Sequence, residues 1–483
     1  MDGHKLEIPI IINVLQTLID YKMPYIQKLI EIILKFIKNQ LINLTPKDYQ
    51  ELTDINSKIQ SNTLRQFVQK DLLQKFNLKI SMDLDRNNLD FVISAFMNHK
   101  NDLEKLKLAL EAVKNCNLQN ASLNTILNLI TAMSYVPHFP KNYCSILNKL
   151  QIYLIENIHQ IKTNDILFLL HNMVFAADNN KNEEFYNEAL FNKCAEVITS
   201  RDVTSSIAAA CLNSFIRIRH MQKHLLDYTC SRYFIEKNNG VRFKEEFVLS
   251  SLINAYAQYN LKDVYLQKLI KNYEEIIKLI KSKKILDSAL NFAVFEYYNA
   301  SLLTNIFSNE EYYFNVAGRK FLNLWQKLKT TPNYNGPEPS EKCIKKFTIW
   351  HTKYNFELFP YLEKGLGGSI YIKKNLKTKL YHQIEYITMF RNGGYPIAIN
   401  NIEDKNIEYI EDLQVPNNSK IVLIFEIPNY WYFQNSNIII GKYSMYIDVI
   451  KSLSVEVIPI NLNNWKTLTE NEKIPYLMKE IHS

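Results

Sequence analysis

A repeat of about 41 residues, the length typical of helical-hairpin repeats, is the feature that most limits how this chain can fold. Apolar segments align in phase at Ile126, Ile166, Ile207, Val248 and Ala289. Second amphipathic stretches lie between them, so each unit is predicted to be a helical hairpin. One hairpin cannot bury its apolar face alone, whereas stacked hairpins bury it against each other. The pattern therefore predicts an α-solenoid.

One amide recurs at the same place in three successive repeats. Within each first helix the apolar residues define a buried face, and the position six residues into the aligned segment lies on the opposite side. Asn172, Asn213 and Asn254 occupy this position, one in each repeat. Helical-repeat proteins can read one base per repeat in this way, so the three amides are candidate RNA contacts. The alternative interpretation is that the chain is simply rich in asparagine.

Glycine and proline divide the chain into two compositions. Seven of the ten glycines and nine of the fourteen prolines lie beyond residue 330, and the segment from Thr330 to Glu341 has the composition of a linker. We therefore expect a helical-repeat domain over residues 1–329, a linker over 330–341, a connecting segment over 342–370 and a small α/β domain over 371–483. The fold class is mostly α.

Charge and cysteine content exclude little. A net charge of +8 permits contact with phosphate but does not require it. The six cysteines form no Cys-x-x-Cys pair, which is typical of reduced, buried thiols.

His220 and His224 lie one helical turn apart without a third ligand, so neither a metal site nor a cofactor is predicted. No apolar run is long enough to span a bilayer, so we expect no membrane association.

The last part of the chain shows a different pattern. From about Tyr371 the sequence predicts one helix, a turn at Gly393 and Gly394, and then short strands in "YIEDLQV", "KIVLIFEI" and "LSVEVIPI". Between the last two, "GKYSMYIDVIKSL" opens on Gly441 and has helical spacing. This order predicts a small α/β unit.

These residues resemble the RAP domain, an RNA-binding domain abundant in apicomplexans. The resemblance covers the chain from about Tyr371 onward and rests on the Asp-Leu-x-Val-Pro segment at Asp412, the strand ending in Glu426, the turn at Gly441 and Lys442, and "VEVIPINLNNW" with Trp465. It implies helical repeats followed by a terminal RAP domain that acts on mitochondrial or plastid RNA. It also implies a fold similar to that of the very-short-patch-repair endonucleases.

A nuclease of that type holds a divalent cation between two strand carboxylates and uses a nearby lysine. Asp412 and Glu426 are the candidate carboxylates, and the sequence predicts them on adjacent strands. Pro428 occupies the position of the lysine, and the lysine that the family has in the following helix falls at Tyr446. These departures favour binding over catalysis.

Aromatic and basic residues supply the other candidate RNA contacts. Trp431 and Tyr432 follow Glu426 and would stack on unpaired bases, although such rings also fill the seam between two parts of a protein. The stretch from Lys342 to Arg391 carries ten basic and three acidic residues, a net charge of +7. A helix in this stretch is predicted to present several lysines to phosphate, the alternative being a solvated face. The candidate basic contacts are Lys373, Lys374, Lys377, Arg391 and Lys442.

The leading hypothesis is a non-catalytic protein that binds organellar RNA, with mitochondrial ribosomal RNA as the expected target and ribosomal or other RNA-binding proteins as further partners. It would act in RNA processing, RNA stability or ribosome assembly. The alternatives are an RNA endonuclease and a scaffolding solenoid of an organellar ribosome. The mitochondrion is the expected compartment and the plastid the alternative, although Asp2 and Glu7 are not typical of a transit peptide.

Overall fold

The computed structural model describes residues 7–20, 27–40, 44–59, 61–68, 72, 89, 92–93, 103–115, 121–179, 182–277, 282–346, 356–399 and 407–482. It is mostly helical, with a small mixed sheet near the C-terminal end. The chain divides into two compact units, Met1–Arg201 and Asp202–Ser483.

The described part of the first unit is helical. Its helices are α1 (Ile8–Asp20), α2 (Gln27–Asn39), α3 (Pro46–Lys58), α4 (Asn62–Phe67), α5 (Leu103–Asn115), α6 (Leu123–Ser134), α7 (Cys144–Asn157), α8 (Thr163–Asp178) and α9 (Glu188–Ser200). Local capping explains several of the starts: at α3, the Thr45 hydroxyl accepts from the Asp48 backbone N–H while the Asp48 carboxylate accepts from the Thr45 backbone N–H.

The second unit begins with helices that stack in sequence. They are α10 (Ser205–Arg217), α11 (Lys223–Asn238), α12 (Glu245–Tyr259), α13 (Leu266–Ile277), α14 (Ser282–Val294), α15 (Ala300–Ser308), α16 (Glu310–Lys329) and α17 (Glu341–Lys345). Alternate helices pack side by side, with α10 on α12, α12 on α14 and α14 on α16. The aligned apolar segments of the sequence lie in α6, α8, α10, α12 and α14. The α-solenoid as a whole stays a prediction.

The second unit ends in the module predicted from residue 371. Helix α18 (Phe359–Leu366) precedes a sheet of β1 (Lys373–Lys377), β2 (Gln383–Arg391), β3 (Pro396–Ile397), β4 (Ser419–Ile427) and β5 (Glu456–Asn461). The strand order is β1-β2-β4-β5, with β3 on β2. All neighbours are antiparallel except β4 and β5, which are parallel and are joined through α19 (Gly441–Lys451).

The sheet is covered on both faces. Leu423, Phe425 and Ile427 of β4 point to one face, where they pack with Ile447 and Ile450 of α19. The alternating residues point to the other face, which is covered by α18, α20 (Leu462–Thr467) and α21 (Glu470–His482). A strand buried on both faces reads as a continuous apolar run, which explains the composition of "KIVLIFEI".

Two predicted elements are wrong. The segment predicted as a lysine-rich helix is β1 and its turn into β2, because pairing such as Lys374 with Tyr386 prevails over the helical spacing of the lysines. The predicted strand "YIEDLQV" is one turn of 3-10 helix, Ile410–Asp412, followed by extended backbone. Asp412 therefore does not lie on a strand.

Other predictions for the module are confirmed. The structure contains β4 and β5 where the sequence predicts strands, and α19 where it predicts a helix. Gly393 and Gly394 form the turn after β2 with φ of 103° and 80°, a conformation that glycine adopts without steric strain. None of the described helices combines the length and the apolar character needed to cross a bilayer.

The predicted linker lies inside the second compact unit. Residues 330–341 connect α16 to α17, and the unit that contains them extends from residue 202 to the end of the module. The most compact division of the chain therefore differs from the predicted boundary at residue 330, because the module packs against the helices of residues 202–329.

Candidate functional site

Glu426 is engaged in a structural role. It lies near the end of β4 and points to the sheet face covered by α18. Its Oε1 accepts a hydrogen bond of 3.0 Å from the Leu358 backbone N–H, at the start of α18, and another from the Tyr386 hydroxyl of β2. The carboxylate thereby anchors α18 to the sheet.

Asp412 lies in a different environment. Its Oδ1 is 2.8 Å from Lys379 Nζ, and the flanking Ile410 and Leu413 pack into the cluster on the α19 side of the sheet. The two predicted carboxylates thus have separate partners. Nowhere in the described residues do three or more His, Cys, Asp or Glu side chains gather as metal ligands would.

The aromatic segment after Glu426 fills a seam within the second unit. We use "the seam" for the contact between residues 429–443 and the helices of residues 202–329. Phe433 is only 2% exposed, and its ring meets that of Tyr259 edge to face with centroids 5.4 Å apart. Tyr432 is buried in the apolar cluster between the sheet and α19. The ring of Trp431 stacks on Tyr443, with centroids 4.5 Å apart and an interplanar angle of 8°. Trp431 and Tyr432 are therefore not free to stack on bases, which was one of the two roles that the sequence offered for them.

Hydrogen bonds fix the position of the seam. The side chain of Asn435 accepts from the Met221 backbone N–H at 2.9 Å and donates to the Met221 carbonyl at 2.9 Å. Arg219 Nη1 donates to the Asn429 carbonyl at 3.0 Å, and the Gln434 backbone N–H donates to the Arg219 carbonyl at 2.7 Å. Because both partners of Asn435 are backbone groups, this contact positions one chain segment against another.

Most of the predicted basic contacts are engaged within the protein. Lys377 is buried with its Nζ 3.3 Å from Glu408 Oε1, and the ammonium of Lys374 lies 3.6 Å from the centre of the Phe359 ring. Lys373 is half-buried, whereas Lys374 and Arg391 are exposed. Lys442 is half-buried in the seam, where burial lowers its pKa and the nearby Asp287 acts in the opposite direction. The predicted lysine face on one helix is therefore wrong.

Two of the three repeated asparagines use their amides within the protein, and none of the three side chains is fully exposed. Asn172 is 3% exposed, and its Nδ2 donates to the Phe168 carbonyl one turn earlier in α8. Asn213 is half-buried and donates from α10 to the Ser251 hydroxyl of α12 at 2.7 Å. Asn254 is half-buried as well. The prediction that these side chains are exposed is wrong for Asn172. Asn213 and Asn254 are partly covered, because neighbouring helices pack over this side of each helix.

The structure assembles a patch at the seam that the sequence does not reveal. Tyr430 is 53% exposed, and its ring lies 6.1 Å from that of Tyr443. Arg219 Nη1 donates to the carbonyl of Asn429, next to Tyr430, and α16, which carries Arg319, packs against α19, which carries Tyr443. Burial raises the pKa of Tyr443, and the charges of Arg219 and Arg319 act in the opposite direction. We call Arg219, Arg319, Tyr430, Trp431 and Tyr443 the arginine–aromatic patch. No local pattern could have predicted it, because its members come from three distant parts of the chain.

A second group missed by the sequence analysis is buried beneath α19. His382 Nδ1 is 2.8 Å from the Thr378 hydroxyl, and the imidazole ring meets Tyr446 edge to face. In the described part of the chain, His382 Nε2 and Glu385 Oε2 have no hydrogen-bond partner. Burial raises the pKa of Glu385 to about 8 and lowers that of His382 to about 3. Both groups are therefore neutral in the folded protein near pH 7.

Glu385→Gln is expected to make the second unit more stable than the wild type at alkaline pH. A carboxyl group with a raised pKa stabilises the fold below its unfolded value of 4.5, and this contribution is lost as the pH rises through about 8. The variant has no such titration. Thermal unfolding from pH 5 to 9 should show a melting-temperature difference that grows with pH, by about 2–4 °C for each 1 kcal/mol.

The difference between the two proteins isolates Glu385, since His382 titrates alike in both. Glu275→Gln, an exposed change on α13, is the matched control and should leave the pH profile of the wild type unaltered. A constant difference between Glu385→Gln and the wild type at every pH would contradict the buried neutral carboxyl.

In comparisons with known proteins, no family model matches this sequence, and no curated protein matches it either.

Proposed function

We propose that this chain is a non-catalytic RNA-binding protein, in which an α-solenoid of hairpins of about 41 residues each carries a RAP-like, endonuclease-like module. Its target is organellar RNA, with mitochondrial ribosomal RNA foremost, and it acts in processing, stability or ribosome assembly. The resemblance of the sequence over 371–483 motivates this assignment. A small mixed sheet with helices on both faces agrees with a module of that type.

The separation of the two carboxylates carries the non-catalytic part of the proposal. A metal-dependent nuclease needs both groups at one cation, with room for the cation between them. Here Glu426 accepts hydrogen bonds from Leu358 and Tyr386, whereas Asp412 pairs with Lys379. Bringing them together would break the contact that holds α18, so the geometry favours holding RNA over cutting it.

Charge supports the choice of a nucleic acid as the partner. The whole chain carries a net charge of +8, and the approach to the module, from Lys342 to Arg391, carries +7. Phosphate contacts by such residues supply the sequence-independent part of RNA affinity. Arg391 and Arg319 are exposed on the surface of the second unit.

We expect the purified full chain to bind labelled single-stranded RNA and to leave it uncut in magnesium or manganese. Glu426→Gln is the appropriate probe. The glutamine oxygen can still accept hydrogen bonds from the Leu358 N–H and the Tyr386 hydroxyl, while the substitution removes the negative charge that a cation needs. It should bind RNA with the affinity of the wild type. Gel electrophoresis of the RNA and fluorescence anisotropy measure the two quantities.

Two results would overturn the proposal. Metal-dependent cleavage that disappears in a folded Glu426→Gln variant would assign an endonuclease. A scaffolding role would follow from two results together: the purified protein binds no RNA, and crosslinking of the native complex followed by RNA sequencing recovers only protein crosslinks.

A further inference from the structure

We propose that the arginine–aromatic patch is the site at which the second unit binds an unpaired, phosphate-linked nucleotide of single-stranded RNA. This inference rests on the proposed function and adds the site and the form of the RNA. The patch consists of the residues defined above, Arg219, Arg319, Tyr430, Trp431 and Tyr443.

Tyr430 is exposed on a fixed backbone. It lies in the single turn of 3-10 helix Asn429–Trp431, which follows β4 directly. The Trp431 backbone N–H donates to the Pro428 carbonyl at 3.0 Å, and Arg219 Nη1 holds the Asn429 carbonyl. A ring that is half in solvent and held in place offers a stacking surface with little entropy to lose when a base binds.

Two arginines supply positive charge in the patch that contains this ring. Arg219 donates a hydrogen bond to the carbonyl of Asn429, the residue before Tyr430, and Arg319 lies on α16, which packs against α19. Arg319 is on the exposed surface of α16 and forms no ion pair with any described residue. A guanidinium that is not neutralised by the protein can bind phosphate with two parallel N–H groups.

The patch suits an unpaired nucleotide better than a duplex. Tyrosine stacking requires the face of a base, and in a duplex these faces are covered by neighbouring base pairs. Guanidinium groups beside an exposed ring match a nucleotide whose base is unstacked and whose phosphate lies at the rim of the ring. Single-stranded RNA satisfies both requirements, and duplex RNA satisfies only the phosphate contact.

The patch also joins two parts of the second unit. Arg219 follows α10 and Arg319 lies on α16, whereas Tyr430 and Tyr443 belong to the module. A nucleotide bound here contacts both sides of the seam. Because a ligand that binds only the assembled state stabilises it, RNA should raise the melting temperature of the second unit.

The test uses the full chain with a fluorescein-labelled 12-nucleotide oligouridylate, alone and paired with oligoadenylate. Tyr430→Ala should weaken binding of the single strand about 5- to 150-fold, since stacking contributes about 1–3 kcal/mol per base. Tyr430→Phe, which keeps the ring, should bind like the wild type. Arg319→Ala should reduce the slope of log affinity against log salt by about 0.7 for a single strand.

Matched controls exist on the same unit. Tyr265 is another exposed tyrosine, and Arg242 is another exposed arginine. Tyr265→Ala and Arg242→Ala should leave affinity for the single strand close to that of the wild type. Melting temperatures measured on each variant establish that it is folded.

The outcomes separate the two proposals. If the wild type binds no single-stranded RNA, the proposed function fails. If it binds but Tyr430→Ala and Arg319→Ala behave like their controls, the function stands and the patch is wrong. Equal loss of single-strand and duplex binding in Tyr430→Ala would show that the ring does not stack on a base, which also overturns the patch.

Discussion

Gly441→Ala is expected to destabilise the second unit by about 1–3 kcal/mol or more, as overpacking of a close contact does. Gly441 is the first residue of α19, where the helix meets the end of α12. A methyl group built on it would lie 2.0 Å from the Ala257 carbonyl oxygen and 3.2 Å from the carbonyl carbon. These are backbone atoms, so no side chain can turn away to make room.

Helix propensity alone predicts the opposite sign for this change. In a helix, alanine is favoured over glycine by roughly 0.5–1 kcal/mol, and Gly441 is not among the positive-φ glycines that an alanine would strain. Urea unfolding of the variant therefore separates the two effects. Ser444→Ala, in the same turn region of α19, is the control and should change stability little. A stabilised Gly441→Ala would show that α19 does not approach α12 as closely as described.

Phe433→Ala is expected to destabilise the second unit by about 3–5 kcal/mol, the usual loss for a buried phenylalanine. The ring is 2% exposed and meets Tyr259 of α12 edge to face. Removing the Phe433 ring opens a cavity in the seam, where this ring contacts Tyr259 of α12. Thermal and urea unfolding give the free energy of unfolding.

Tyr430→Ala is the control for this experiment, because it removes an exposed aromatic ring three residues away and should change stability by less than about 0.5 kcal/mol. A double-mutant cycle that combines Phe433→Leu with Tyr259→Leu should show a coupling energy of about 0.5–1.5 kcal/mol. A coupling energy near zero, or equal losses from Phe433→Ala and Tyr430→Ala, would contradict the seam.

The elements that sequence predicted well are those determined by local pattern. β4 is a continuous apolar run because both of its faces are covered, and α19 keeps helical spacing from Gly441 onward. Both patterns are contained within a dozen residues. The helices at Ile126, Ile166, Ile207, Val248 and Ala289 were found for the same reason.

The elements that sequence predicted wrongly depend on distant partners. The lysines of β1 have helical spacing, yet pairing with β2 makes the segment a strand. Asn172 lies opposite the apolar face of its own helix, but it is buried and bonds to its own backbone. A helical wheel describes one helix and contains no information about the next layer.

The candidate site was predictable only in part for a related reason. The sequence pointed to the aromatic segment after Glu426 and offered both stacking on bases and filling a seam. The structure places Phe433 in the seam and Tyr432 in the apolar cluster between the sheet and α19, and it leaves Tyr430 exposed. Arg219 and Arg319 are distant from Tyr430 in the sequence and belong to the same patch only in the folded chain. The burial of Glu385 also depends on the fold, because α19 covers that face of the sheet.

The reciprocal hydrogen bonds between Asn435 and Met221 have a consequence for how the chain is made. The two residues are 214 positions apart, so a ribosome adding about 5–20 residues per second synthesises Asn435 roughly 10–40 s after Met221. During that interval α10 and α12 are present without the segment that covers the Tyr259 ring. The nascent helices therefore expose an apolar surface until the module emerges, and this delay leaves the Tyr259 side of α12 open to aggregation during translation.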